Sequence, residues 1–110
     1  MGEYRAQLGL VRMDDGVPRH TAAVSARFFP EGAVWVGICD ELGTSAYADS
    51  IEEARTQLAE AIVLHLNEAQ RLGFIDELLK TRGVVVMRVP DPTPATKGRS
   101  NEWELALAGK

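Results

Sequence analysis

The sequence predicts an α+β domain: an antiparallel sheet packed on one long amphipathic helix, in the order β-β-β-α-β, with a short second helix before the last strand. Three observations predict it. Ser50-Ile51-Glu52-Glu53 is a helix-opening capping box followed by apolar residues at spacings of three and four. Two runs of β-forming residues flank Pro30-Glu31-Gly32, and a short run at 44–48 leads into the helix. The chain has 110 residues, 45% hydrophobic and 25% charged, which suits one globular domain rather than a disordered chain.

Residues 1–20 read as an N-terminal extension or an extra edge strand. Tyr4, Ala6, Leu8 and Leu10 alternate with polar or small residues, but the alternation slips at Val11, and Asp14-Asp15-Gly16 and Pro18 have loop composition. The domain proper spans 21–89. Its first strand covers 21–29, with Ala22, Val24, Ala26 and Phe28 on one face. A second strand covers 33–39, where Val34, Val36 and Ile38 are the better core candidates and Trp35, Gly37 and Cys39 share the other face. The alternative is that the helix covers the Trp35 face. Gly37 either opens space for that helix or marks a bulge. A third strand covers 44–48.

The helix runs from Ile51 to about Leu72, with Ala54, Leu58, Ala61, Ile62, His65 and Ala69 as its apolar stripe and Asn67 among the residues facing water. Gly73 ends it. Residues 74–80 form a short second helix that ends at Gly83, and 84–89 form the last strand. Residues 90–110 are a Pro-rich tail, mostly loop. In it, Trp103 and Leu105 either dock on the domain or on another subunit, and 102–107 could form a helical turn.

Candidate chemistry is sparse. Capping and turn formation account for Asp49, Ser50 and Glu53 without a metal or an acid/base pair. Two histidines and one cysteine at no ligand spacing argue against zinc, and no Gly-rich loop has phosphate-binding spacing. No metal or cofactor is expected. His65 is expected as a hydrogen-bonded, partly buried helix residue. Cys39 precedes two carboxylates, which oppose thiolate formation. The single cysteine excludes an internal disulfide. With no signal-like start and no spanning apolar run, a cytoplasmic protein with no membrane role is expected. Lys80, Arg82 and Arg88, with Lys97 and Arg99 in the tail, are the nearest approach to a basic cluster. Arg12, Arg19 and Arg27 could align at one sheet edge. The formal net charge of −4 reads first as a contribution to solubility; it opposes nucleic acid without a local basic patch, and it also suits a basic protein partner. Trp35, Asp40, Glu41 and Tyr47 are the candidate partner-binding residues, because aromatics are enriched at interfaces.

The run from about Ala23 to Leu66 resembles the HicB-like antitoxins of type II toxin–antitoxin systems. The residues that carry the resemblance are Phe28-Phe29, Trp35 in the second strand, Leu42-Gly43, and Asp49-Ser50-Ile51-Glu52-Glu53-Ala54, followed by Glu60-Ala61, Leu64 and Leu66. The resemblance implies a partial RNase H-like fold without catalysis, whose members mask a small RNA-cleaving toxin. Many members add a DNA-binding module. Here no helix-turn-helix or ribbon-helix-helix follows the core, so DNA binding from this chain alone is not expected. Ala48 also stands where the family often has glycine. The expected function is therefore a non-catalytic, protein-binding antitoxin-like domain, self-associating as a homodimer or higher homo-oligomer through free strand edges. The alternative is a stand-alone interaction or ligand-binding domain of the same fold without a toxin. An enzyme on that framework ranks last.

Overall fold

The structure, a computed structural model, describes residues 2–90 and 102–105. Two strands, β1 (Tyr4–Asp14) and β2 (Val17–Glu31), form its longest pairing, antiparallel from Tyr4↔Phe28 to Asp14↔Val17. Asp15 and Gly16 make the two-residue turn with φ of 57° and 77°. Two consecutive positive φ values match the right-handed twist of a hairpin, and Asp-Gly reaches them at low cost. Residues 4–20 supply all of β1, the turn at Asp15-Gly16 and the start of β2. Pairing is regular through Val11 and Arg12, and the register shifts between Arg12 and Met13, where Arg19 is the extra residue on β2.

The second hairpin turns at Gly32-Ala33, one step later than the composition of Pro30-Glu31-Gly32 suggested, and joins β2 to β3 (Val34–Cys39). Pro30 sits beyond the last β1–β2 pair, so its missing N–H costs that ladder nothing. β4 (Ser45–Ala48) pairs with β3, and α1 (Ile51–Arg71) follows. The Glu53 backbone N–H donates to Ser50 Oγ at 3.1 Å, with Glu52 and Glu53 at the positive end of the helix dipole. At the other end Gly73 takes φ 87°. Its N–H donates to the Gln70 carbonyl and that of Phe74 to the Ala69 carbonyl, which satisfies two of the last carbonyls. The short α2 (Ile75–Thr81) comes next.

The expected last strand contracts to β5 (Val86–Arg88), which pairs with His20–Ala22 of β2. In the tail, Glu102–Leu105 form a strand, β6, rather than loop or helical turn, and pair with Leu10–Met13 of β1. The remainder of the predicted Pro-rich tail, 91–101 and 106–110, lies outside the described residues. Among the described residues the sheet therefore has six antiparallel strands instead of four, in the order β4-β3-β2-β1-β6, with β5 beside the far half of β2.

Both helices lie on one face. The core joins Leu10, Val24, Ala26 and Phe28 of the long hairpin to Ala54, Leu58, Ile62, Leu66 and Ala69 of α1. Ala59 and Leu66 are buried, whereas Ala61 and His65 of the predicted stripe are half-buried. The helix covers the Trp35-Gly37-Cys39 face of β3, not the Val34-Val36-Ile38 face favoured by hydrophobicity. Gly37 explains why. A Cβ there would stand 2.7 Å from Phe28 Cε1 and 3.4 Å from Leu58 Cδ2, so the missing side chain is the space the Phe28 ring occupies. Phe28 on the neighbouring strand supplies the bulk that β3 leaves out.

Candidate functional site

The four residues singled out at the β3–β4 end do not form one surface. Register places Trp35 opposite Ala48 on the helix side, and Tyr47 opposite Val36 on the other side. Trp35 is half-buried, packs against the core and meets Tyr4 with ring centroids 5.8 Å apart at 40°. Tyr47 is 63% exposed. Asp40 pairs with Arg27, Oδ1 to Nε at 2.7 Å.

Glu41 has a backbone task. Its Oε1 accepts the Ser25 N–H at 2.8 Å, while the Asp40 N–H donates to the Ser25 carbonyl at 2.9 Å. The two residues thus fill the gap on β2 between β3 and β5, where no strand reaches among the described residues. The Cys39 thiol donates to the same Glu41 oxygen at 3.8 Å. Burial pushes that thiol up, and the carboxylates of Glu41 and Asp40 push the same way, so it is a poor nucleophile. His65 Nδ1 lies 3.3 Å from Thr44 Oγ1, a tie between α1 and the β3–β4 loop. Among the described residues no group of His, Cys, Asp and Glu is placed to hold a metal. No described helix is long and apolar enough to cross a membrane.

Two other regions have the shape of sites. The larger is an apolar groove of about 610 Å³ between α1 and the sheet, where β6 stops and the edge of β1 continues alone among the described residues. Leu8, Ala59, Val63 and Leu105 line it, and Leu64 stands at its rim, 70% exposed. It runs at Thr56 and Glu60 into a shallow hollow that also carries Glu52 and Glu53. Arg55 is the one cation among the groove's lining residues. The α1 sequence carried this signal: Ala59, Val63 and Leu64 continue the apolar stripe past the arc the core uses.

Asn67 closes the groove's far end. It was expected to face water. Instead its Nδ2 donates to the Trp103 carbonyl at 3.1 Å and its Oδ1 accepts the Trp103 N–H at 2.6 Å. The carboxamide thus serves as a strand substitute on the outer side of β6. Trp103 is 2% exposed, so the tail tryptophan docks on its own domain.

The second region is a smaller cavity of about 320 Å³ under α2. Arg12, His20 and Trp103 form its sheet side and Ile75, Asp76, Leu79 and Lys80 its helix side. Burial lowers the pKa of His20, and Arg12, Arg88 and Arg19 add repulsion that Asp76 partly offsets. Comparison with protein-family models, with curated proteins and with solved structures finds no match to this chain.

Proposed function

We propose that this chain is a non-catalytic, cytoplasmic protein-binding domain of the HicB-like antitoxin kind, which neutralises a small basic RNA-cleaving toxin by covering it. The observation that carries this reading is the apolar groove on α1 with its acidic border. Leu8, Val63, Leu64 and Leu105 offer the desolvated centre that protein interfaces use, and Glu52, Glu53 and Glu60 offer the charge that steers a cationic partner. The chain's net charge of −4 adds to that steering at long range. Asp40 and Glu41 are committed to Arg27 and Ser25, which favours a masking surface over a metal-dependent nuclease.

Self-association belongs to the same reading. Over Tyr4–Gly9 the edge of β1 has no strand partner among the described residues, and the sheet face away from the helices carries Phe29, Val36, Ile38 and Tyr47. Val36 is only 6% exposed there because Phe29 and Tyr47 flank it. A homodimer or higher homo-oligomer would cover such a face.

Co-expression with a neighbouring reading frame encoding a small basic protein tests the function. The chain should relieve that protein's growth arrest and co-elute with it. Val63→Glu should abolish relief, and Tyr47→Ala should leave it intact. Absence of relief together with absence of a complex on a sizing column would remove the antitoxin reading. It would leave the stand-alone interaction domain.

A further inference from the structure

At the end of the sheet away from Trp35, four residues stand in direct cross-strand register: Arg88 on β5, His20 on β2, Arg12 on β1 and Trp103 on β6. Arg12 and Arg88 stand on either side of His20, about 10 Å apart, and their charges add to one positive field. In an acidic protein such a row calls for a compensating anion. Asp76 and Lys80 of α2 face it from above and Arg19 flanks it on β2; Arg19 reaches Asp14 at 3.9 Å. Among the described residues neither Arg12 nor Arg88 has an ion pair.

The hydrogen-bond inventory points the same way. Arg12 Nε, His20 Nδ1 and Trp103 Nε1 are buried without a hydrogen-bond partner. A guanidinium Nε–H and an indole N–H only donate, so whatever completes them must accept. Two unmatched donors, with the cations Arg12 and Lys80 against the single carboxylate of Asp76, line one cavity of about 320 Å³ and favour an anionic oxygen ligand of modest size.

We propose that this cavity binds a small molecule through an oxyanion group, a carboxylate or a phosphate, held by Arg12, Lys80 and the Trp103 indole N–H. The orphan atoms lie just behind the cavity surface, each exposing less than 1 Å². Ligand entry therefore involves a small swing of the Arg12 side chain. The apolar remainder of the wall, Ile75, Leu79, Val84 and Val86, receives the carbon part of the ligand. The proposal is independent of the toxin reading, because its residues are distinct from those of the α1 groove.

The test is an NMR titration of the full chain carrying Trp35→Phe, which leaves Trp103 as the one indole. Inorganic phosphate and acetate are added separately, with sodium chloride of equal ionic strength as the reference. A saturable downfield shift of the indole N–H with phosphate, acetate or both is expected, and the pattern distinguishes phosphate from carboxylate ligands. Arg12→Gln should weaken binding at least tenfold and Lys80→Ala several-fold, with Arg71→Gln unchanged. Lys80 is exposed on a short helix, so its variant keeps the test open if Arg12→Gln fails to fold. No saturable shift, an equal shift with chloride, or undiminished binding in the Lys80 variant overturns the proposal.

Discussion

From Val24 to Glu31, β2 packs Val24, Ala26 and Phe28 beneath α1 and pairs with β3. From Val17 to Ala22 it carries His20 beneath α2 and pairs with β5. The first half is closed by apolar contact among segments that follow one another along the chain. The second half is assembled from β5 and β6, more than sixty residues downstream of their strand partners. Its walls include an unmatched arginine, an unmatched histidine and an unmatched indole. The contrast teaches that one strand can serve two purposes. Half of it is a tightly filled core in which any added volume is costly, and half is a polar cavity in which charge matters more than volume.

The largest effect should come from adding volume to the filled half. Gly37→Ala places a methyl within 2.7–2.9 Å of the Phe28 ring, which is itself fully buried and has nowhere to move. We expect a loss of about 1–3 kcal/mol, typical of overpacking, and more for Gly37→Val. Urea denaturation gives the comparison directly. If Gly37→Ala is neutral while Thr21→Ala, on exposed backbone of the other half, is costly, the division of β2 drawn above is wrong.

An intermediate effect is expected where the two halves meet. Asn67→Ala removes the carboxamide that pairs with both backbone groups of Trp103. Both groups are only partly buried and can turn to water, so the loss is about 0.5–1.5 kcal/mol. The loss should be local to β6, so amide exchange at Trp103 and Glu104 should accelerate while that at Ile62 holds. Uniform acceleration would mean that β6 and α1 open as one unit.

The same contrast explains what could be read in the residues beforehand. The start of α1 was legible to within a residue because Ser50 and Glu53 interact across three positions, and Gly73 acts just as locally. The β1–β2 hairpin had a local signal in Asp15-Gly16. Val11 breaks the apolar alternation that would have confirmed it, although its pairing with Thr21 is regular. The face of β3 misled because Val34, Val36 and Ile38 are the more hydrophobic set, while the deciding quantity is space: Phe28 needs the void at Gly37. β6 had only the alternation of Glu102, Trp103, Glu104 and Leu105, which acquires meaning when β1 lies beside it. The candidate residues show the same limit. Asp40 and Glu41 look available in a turn, and their partners Arg27 and Ser25 are revealed only by the pairing of β2.

The smallest effect sharpens the comparison from the polar side. His20 in the folded chain has a pKa below its ordinary 6.5, through burial first and then through Arg12, Arg88 and Arg19. The unfolded chain therefore binds a proton more readily than the folded one between the lowered value and 6.5. In that window stability falls as pH falls, and above 6.5 the group contributes no slope. His20→Gln should flatten the slope below pH 6.5 and leave the curve above it parallel to that of the parent. Asp76 works against burial and the arginines by favouring the charged ring. The informative reading is the difference in slope, followed by thermal denaturation between pH 5 and 8. A slope that survives His20→Gln would move the pH-sensitive group out of the polar half of β2.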